Sequence, residues 1–509
     1  MTTPFDKPRE ECGVFGVYAP GEDVGQLTYF GLYALQHRGQ ESAGIAVADG
    51  EDVLVYSNLG LVNQVFDEKV LDGLAGHIAI GHVRYSTTGS SGMIENAQPA
   101  FMTRADGTGI ALGHNGNLVN PIDLAKELAS SDVILQSTTD SHLVCALLAQ
   151  QDTPDLVEAW RRVVPKLKGA YSITAMDEKR VMAIRDPHGV RPLVIGRTST
   201  GGWVFASETC ALDIIGADFI RDVEPGELVV IDEDGQLRSH QLSEPTPRLC
   251  VFEFVYFARP DSTLFGRSVY SVRRAMGKQL ADEAPPPEGT DLVIPVPQCA
   301  TAAAQGYADR AGLPYADGIV VNRYVGRTFI QPTQSVREQG VRMKLNPMSE
   351  VIEGKRLIVV DDSIFRGTTT REVVDMLRRA GAREVHLRVS SPPVQWPCFY
   401  GIDIPSRDEL VGASREIEQI RKLIGADSLG YLSIDGMLTS TGIATERFCH
   451  ACFSGGYPIE IPPETARTKS VLEQVLSSPN GSSNGDGQSR RALPVLTGNE
   501  EKLPGLELE

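Results

Sequence analysis

No stretch of the 509 residues approaches the roughly 20 consecutive apolar residues that a helix needs to cross a bilayer. No secretory leader is expected either, since the opening MTTPFDKPREE is short and charged and has no apolar centre. Positive charge is in deficit, with 48 Lys and Arg against 66 Asp and Glu and a net charge of -18. That balance argues against a broad nucleic-acid-binding face, while leaving room for a local cationic pocket around a phosphorylated small molecule. Cysteine is sparse, eight in the chain, and unevenly spaced. Such usage points to thiols, metal ligands or a nucleophile rather than a disulfide scaffold. The expectation is a cytoplasmic protein with no membrane and no nucleic-acid partner.

What is present is ordinary in amount, 41% hydrophobic and 22% charged, but too long for one core, since single cores seldom grow past about 250–300 residues. Residues 12 to about 240 read as short strands broken by glycine, among them GIAVAD, AIGHVRYSTTG, YSITAMD, VMAIRD and GELVVID, with helices such as DSHLVCALLAQ. SEPTPRL, residues 243 to 249, is a proline-bearing connector. Beyond it the apolar strands TDLVIPV, KRLIVVDD and EVHLRVS alternate with the helical TAAAQGYADRAG and TTREVVDMLRRAG, ended by Gly312 and Gly381. This alternation predicts a parallel sheet covered on both faces. From residue 464 onward, stretches such as SSPNGSSNGDGQSRR predict a disordered tail.

Ligands of open α/β sheets bind beyond the carboxyl ends of the strands. Asp361, Asp362 and the loop through Thr370 fall there. Arg366, the hydroxyls of Ser363, Thr368, Thr369 and Thr370, and the backbone N–H groups that Gly367 leads into a helix suit a phosphate. The paired carboxylates suit a ribose diol, or a Mg²⁺ that it holds. The same residues could also simply end a strand and cap a helix. LIVVDDSIFRGTTT resembles the phosphoribosyl-diphosphate (PRPP) binding motif of type I phosphoribosyltransferases. The resemblance implies that Asp361 and Asp362 contact the ribose hydroxyls, directly or through Mg²⁺, and that Ser363, Arg366, Gly367, Thr368 and Thr369 hold the 5′-phosphate. YVGRTFIQP, 324 to 332, resembles that family's flexible loop over PRPP.

In the other half, Cys12 stands in REECGVFGVYAP. As a first residue it would carry its own base, an α-amino group of pKa about 8. Arg84 in GHVRYSTTG can fork to a carboxylate. Asn115 and Gly116 in GHNGNLVN offer an amide and a backbone N–H for an oxyanion, and Asp140 in STTDSH can pair with an ammonium. Singly, a turn at HNGN, a surface ion pair at Arg84 and a helix N-cap at Asp140 would account for them. Together with QHRGQESAGIA they resemble the class II glutamine amidotransferase domain, an N-terminal-nucleophile hydrolase. That implies Cys12 as nucleophile, Asn115 and Gly116 as oxyanion donors, and Arg84 and Asp140 on the α-carboxylate and α-amino groups of glutamine. Arg38 and Gly39 fall in the same pocket. Cleavage between Glu11 and Cys12 would make residues 1–11 a propeptide.

The expected fold is therefore an α+β N-terminal-nucleophile hydrolase (αββα) domain, 12–242, followed by an α/β type I phosphoribosyltransferase domain with a mainly parallel sheet, 250–463. This order, with FEFVYFARPDS, RDPHGVRPL and SETCAL, resembles the glutamine PRPP amidotransferase family. The resemblance implies ammonia released from glutamine attacking C1 of PRPP, the first step of de novo purine synthesis, in a homotetramer inhibited by purine nucleotides. The CxxC of FCHACF fits zinc or half of an iron–sulfur site on spacing alone. Likeness to the propeptide-bearing members implies a [4Fe–4S] cluster on Cys250, Cys398, Cys449 and Cys452. Cys145 and Cys210 read as core thiols.

One stretch departs from the family. After TDLVIPV the chain reads PQCATAAA, with Gln298 for an acid, Cys299 for the hydroxyl residue that contacts Mg²⁺, and Ala300 for a common glycine. Val321 stands where many members carry lysine. A neutral thiol is a poor ligand for so hard an ion. Three readings follow. The first is a working amidotransferase in which Asp361 and Asp362 suffice for Mg²⁺. The second is a paralogue with glutaminase activity and altered or lost transfer. The third is a non-catalytic regulator that binds PRPP or purine nucleotides.

Overall fold

The structure, a computed structural model, describes residues 12–85, 93–131, 133, 135, 137–322, 344–404, 406–463 and 465, and the backbone of Val495–Thr497. The expected propeptide, the loop 324–332 and the tail beyond 465, apart from that short strand, lie outside the described residues. The chain forms two compact units. Among the described residues, one comprises 12–249 together with 399–403 and those from 458 onward, and the other those of 250–398 and 404–457. Residues 399–403 and 458–463, from the second half of the chain, are built into the first unit.

In the first unit, glycine-punctuated strands form two antiparallel sheets. Their strands are β1 (Gly13–Tyr18), β2 (Ser42–Ala48), β3 (Val53–Leu59), β4 (Ile78–Arg84), β5 (Ala100–Thr103), β6 (Gly109–Leu118), β7 (Gly169–Met176), β8 (Val181–Arg185), β9 (Val194–Arg197), β10 (Trp203–Ala206), β11 (Asp218–Asp222), β12 (Glu227–Ile231) and β13 (Leu237–Gln241). One sheet runs β11-β9-β10-β1-β4-β2-β3, with Val495–Thr497 beside β3, and the other β13-β12-β8-β7-β6-β5.

Period-two alternation assigns each side chain a layer. On β1, Val14 and Tyr18 face the other sheet and pack with Ile80, Ala111, Met176 and Val229. Phe15 and Val17 face outward, onto Leu32 of helix α1 (Val24–Ala34) and Leu212. The second sheet is covered in turn by helix α2 (Asp140–Ala149) and Trp160, packed on Leu112, Ile173 and Ile184. Helix, sheet, sheet, helix is the expected αββα order, and burial on both faces is why these strands read as apolar runs.

The second unit carries a four-stranded, wholly parallel sheet, β14 (Leu292–Pro295), β15 (Arg356–Asp361), β16 (Glu384–Val389) and β17 (Ser428–Tyr431), in that spatial order. Helix α3 (Thr301–Ala311) ends at Gly312 with φ +65°. Helix α4 (Thr368–Arg379) buries Val373, Val374 and Leu377 against Leu357, Val359 and Leu387.

Candidate active sites

Cys12 enters β1 where Gly13 pairs with Val83 of β4, one residue before Arg84. Its thiol is buried and lies 3.5 Å from the Tyr85 carbonyl oxygen. Arg38 Nε donates to the Cys12 carbonyl at 3.2 Å, and Arg38 Nη1 reaches Glu208 Oε1 at 2.5 Å. His37 Nε2 lies 2.7 Å from the same carboxylate oxygen. Gly39 passes so close to the β4 backbone that a Cβ would stand 2.5 Å from the Val83 carbonyl carbon. Glu208 was not singled out by the sequence reading; its only signal was its place in SETCAL. Arg84 is buried and pairs with Glu41 at 2.9 Å, so it is no surface ion pair.

On the facing sheet, HNGN is not a turn: Asn115 and Gly116 lie inside β6. Gly116 stands opposite Tyr171 of β7. Tyr171 uses its own N–H and C=O on Asp186, accepting from the Asp186 N–H at 2.9 Å and donating to Oδ2 at 3.1 Å. In an antiparallel ladder this directs the N–H of Gly116 away from β7. On that outer edge β5 stops pairing at Leu112. The residues two before and two after Gly116 are bonded there by side chains, His114 N–H to Gln98 Oε1 at 2.9 Å and Leu118 N–H to Asp140 Oδ2 at 2.8 Å. The Gly116 N–H points out between them. With φ +147° and a Cβ position 2.1 Å from the Ala170 carbonyl oxygen, only glycine fits there. Next to it, Asn115 is 1% exposed, and neither polar atom of its amide has a hydrogen-bond partner. A buried amide left unsatisfied costs about 1–3 kcal/mol, a penalty that a ligand at the site would relieve.

Asp140 opens α2 but does not cap it, since Thr139 holds the N-cap position. Burial pushes the Asp140 carboxyl up, and His114, Nδ1 3.6 Å away, with the N–H groups of Leu118 and Ser141, outweighs burial and holds it below the usual range. Burial, reinforced by the charge of Arg84, lowers His142 to about 4. Burial also lowers His82, to about 3, against the contact of its Nε2 with the His114 carbonyl at 3.0 Å, which raises it; Arg84 and the His114 ring lower it further. Arg84, Asp140 and neutral histidines thus share one buried region.

In the second unit β15 delivers Asp361 and Asp362 to its carboxyl end, both buried. Asp362 N–H donates to Asp361 Oδ1 at 2.9 Å, and Ser363 Oγ to Asp362 Oδ1 at 2.6 Å. Gly367, φ +78°, is the N-cap of α4, so no Ser or Thr side chain caps the helix. Thr368 is exposed, and Thr369 and Thr370 are buried. Arg366 Nε is engaged by Glu409 Oε2 at 2.7 Å. Burial and then the Asp361 charge raise the Tyr431 phenol. The neighbouring strand β14 runs in register, Pro295 beside Val360, and Val296 N–H donates to the Val360 carbonyl at 2.8 Å. This brings Pro297, Gln298, Cys299 and Ala300 to the same edge as the acidic pair, with a cis peptide between Pro297 and Gln298. The carboxylate oxygens fit Mg²⁺; the Cys299 sulfur does not.

Four thiols gather elsewhere in this unit. Leu249–Cys250 pairs with Phe448–Cys449 in a two-stranded ribbon. The N–H groups of Gln395 and Trp396 both donate to the Cys452 carbonyl at 3.0 Å, which draws in the segment ending at Cys398. Burial raises the Cys452 thiol well above its ordinary value, and Cys250, Cys398 and Cys449 raise it further. Among the described residues no group of three or more His, Cys, Asp or Glu is arranged around a single metal ion. A [4Fe–4S] cube takes one thiolate per iron, so its ligands need not converge on one point, and an all-sulfur donor set suits iron. Cys145 is buried in α2, and burial alone raises its thiol. Cys210 opens a short helix, Cys210–Ile214, and is buried, as a core thiol would be.

Residues 82–213 match the glutamine amidotransferase domain family, and residues 267–391 the phosphoribosyl transferase domain family. The chain is 57% identical to an amidophosphoribosyltransferase of Mycobacterium tuberculosis (strain ATCC 25618 / H37Rv), over 93% of this chain and 91% of that protein. Among solved structures it is similar to the glutamine PRPP amidotransferase from B. subtilis complexed with ADP and GMP, with TM-score 0.83 and 45% identity over 89% of this chain and 98% of that one. It is similar also to an allosteric regulatory enzyme of purine biosynthesis, with TM-score 0.84 and 44% identity over 89% and 97% of the two chains.

Proposed function

The chain belongs to the amidophosphoribosyltransferase family, and from that premise we propose how its residues divide the work. The reaction converts glutamine, PRPP and water into 5-phosphoribosylamine, glutamate and diphosphate, the first step of de novo purine synthesis. In the first unit the Cys12 thiol attacks the side-chain amide of glutamine. The α-amino group of Cys12, freed by cleavage after Glu11, takes the thiol proton and returns it to the leaving ammonia. Arg38, held by Glu208, fixes the Cys12 carbonyl. Asn115 Nδ2 and the Gly116 N–H receive the negative oxygen of the tetrahedral intermediate. Arg84 and Asp140 hold the α-carboxylate and α-amino groups of glutamine.

In the second unit Asp361 and Asp362 face the ribose of PRPP and would hold Mg²⁺, whose chemistry is to neutralise charge on the departing diphosphate. Ser363, Gly367, Thr368 and Thr369 surround the 5′-phosphate, and Arg366 reaches it on leaving Glu409. Oxygen donors come from the acidic pair rather than from Cys299. Cys250, Cys398, Cys449 and Cys452 would hold a [4Fe–4S] cluster whose contribution is structural, because neither half-reaction transfers electrons. Inhibition by purine nucleotides, a homotetramer and a cytoplasmic location belong to the same proposal. No helix among the described residues is long and apolar enough to cross a membrane.

The observation that carries this reading is the buried Asn115 amide, with no partner for either polar atom, beside the outward N–H of Gly116. The test supplies glutamine, PRPP and Mg²⁺ to the purified protein and measures glutamate and diphosphate separately. Equal release of both is expected, from a chain whose mass begins at Cys12. Glutamate without PRPP-dependent diphosphate would favour the glutaminase paralogue; neither product, with PRPP bound, would favour the regulator.

A further inference from the structure

RDPHGVRPL, a motif to which no role has fallen so far, holds a piece of chain more than 200 positions away. Arg191 is 0% exposed, and both its Nε and Nη2 donate to the Tyr400 carbonyl, at 2.9 and 2.8 Å. The Tyr400 hydroxyl donates to the Ile459 carbonyl at 2.7 Å and accepts from the Ile459 N–H at 3.0 Å. Asn117 Nδ2 donates to the Phe399 carbonyl at 3.1 Å. These bonds fix the strip Phe399–Asp403 within the first unit. Its central glycine has a specific neighbour. A Cβ on Gly401, φ +112°, would stand 3.0 Å from both the Cα and the carbonyl carbon of Gly116.

β6 needs such support. On its outer edge β5 pairs no further than Leu112, and beyond it the N–H groups of His114 and Leu118 are held by the side chains of Gln98 and Asp140, with no neighbouring strand among the described residues beside Gly116. An oxyanion donor acts only when held about 2.7–3.1 Å from where the charge develops. The Gly116 N–H lies between two side-chain anchors, two residues away on either side, with no strand among the described residues to hold it to that tolerance. We propose that Phe399–Asp403 is a backing strip that positions the Gly116 N–H for glutamine hydrolysis, with Tyr400 and Gly401 as its positioning residues and Arg191 as its anchor. The proposal rests on the reading of Asn115 and Gly116 as the oxyanion donors. It explains why a glycine is required at 401, where the backbone of one segment abuts the backbone of another. It also gives the buried Arg191 a catalytic purpose without contact to substrate.

Gly401→Ala tests this directly, because the added methyl must displace the Gly116 backbone or its own. Glutamine-dependent kcat should fall by about tenfold, less than the ~10²–10³ of deleting a donor outright. The KM for glutamine should stay within about twofold, and diphosphate release supported by added ammonium salt should keep its parent rate. Tyr400→Phe keeps the ring and removes both bonds to Ile459. It should give the same split of kcat from KM at smaller amplitude, and it decides the matter if Gly401→Ala does not fold. Asn115→Ala is measured alongside. If Asn115→Ala hydrolyses glutamine normally, the oxyanion reading falls and the strip falls with it. If Asn115→Ala is inactive while both strip variants hydrolyse at the parent rate, the reading stands and the strip proposal is overturned. Equal loss of hydrolysis and ammonia-supported release in the strip variants would also overturn it, by exposing a general defect.

Discussion

Glu208 and Arg38 form a wholly buried ion pair, Oε1 to Nη1 at 2.5 Å, between residues 170 positions apart. Arg38 turns its Nε to the Cys12 carbonyl, so the carboxylate acts on Cys12 through the guanidinium. Removing one partner of a buried pair leaves the other charge uncompensated, at a cost of about 3–5 kcal/mol. Glu208→Gln is expected to lose stability on that order in denaturant titration and to hydrolyse glutamine more slowly. A variant as stable as the parent would show that Arg38 finds another partner.

Asn115→Ala should lower glutamine-dependent kcat by ~10²–10³ and leave KM nearly unchanged. Because the parent buries an unsatisfied amide, the variant should also melt no lower than the parent. Steady-state kinetics and a thermal melt check both parts, and a large drop in melting temperature would mean the amide is structural.

The neutral histidines predict a pH dependence of stability. His82 titrates near 3 and His142 near 4 in the folded chain, against 6.5 for an exposed histidine. Between pH 6.5 and those values the unfolded chain binds protons that the folded chain does not, so stability falls as pH falls. The slope is about 1.4 kcal/mol per pH unit for each histidine. Above pH 6.5 this contribution is complete and flat. Melting temperatures taken from pH 8 to pH 4.5 should trace that bend, and His142→Asn should take about 1.4 kcal/mol per pH unit off the slope; an unchanged slope would remove His142 as a cause.

The thiols make an analytical prediction. Anaerobically purified protein should be brown and contain about four irons per chain, and Cys398→Ser or Cys452→Ser should lower iron content and absorbance together. A colourless parent containing zinc would contradict the cluster.

Much of this architecture was legible before any coordinates. Apolar strands ending in Asp361 and Asp362, and a helix whose buried Val373, Val374 and Leu377 repeat at helical spacing, declare a parallel α/β unit through periodicity alone. The candidate residues were legible as types: a cysteine, a guanidinium, an amide, paired carboxylates. HNGN taken singly allowed a turn, because Asn and Gly favour turns; pairing with Ser172 and Tyr171 of β7 holds it extended.

Local spacing, then, determined the β-rich first half, the parallel sheet of the second and the chemistry on offer, because periodicity and turn residues act within a few positions of themselves, while the αββα order came from resemblance to a family. Only the tertiary structure decided that Glu208 orients Arg38, that the N–H of Gly116 points away from β7, and that Phe399–Asp403 backs the strand bearing it. Each of these depends on groups far apart in sequence, and it is packing, register and burial that give them their partners.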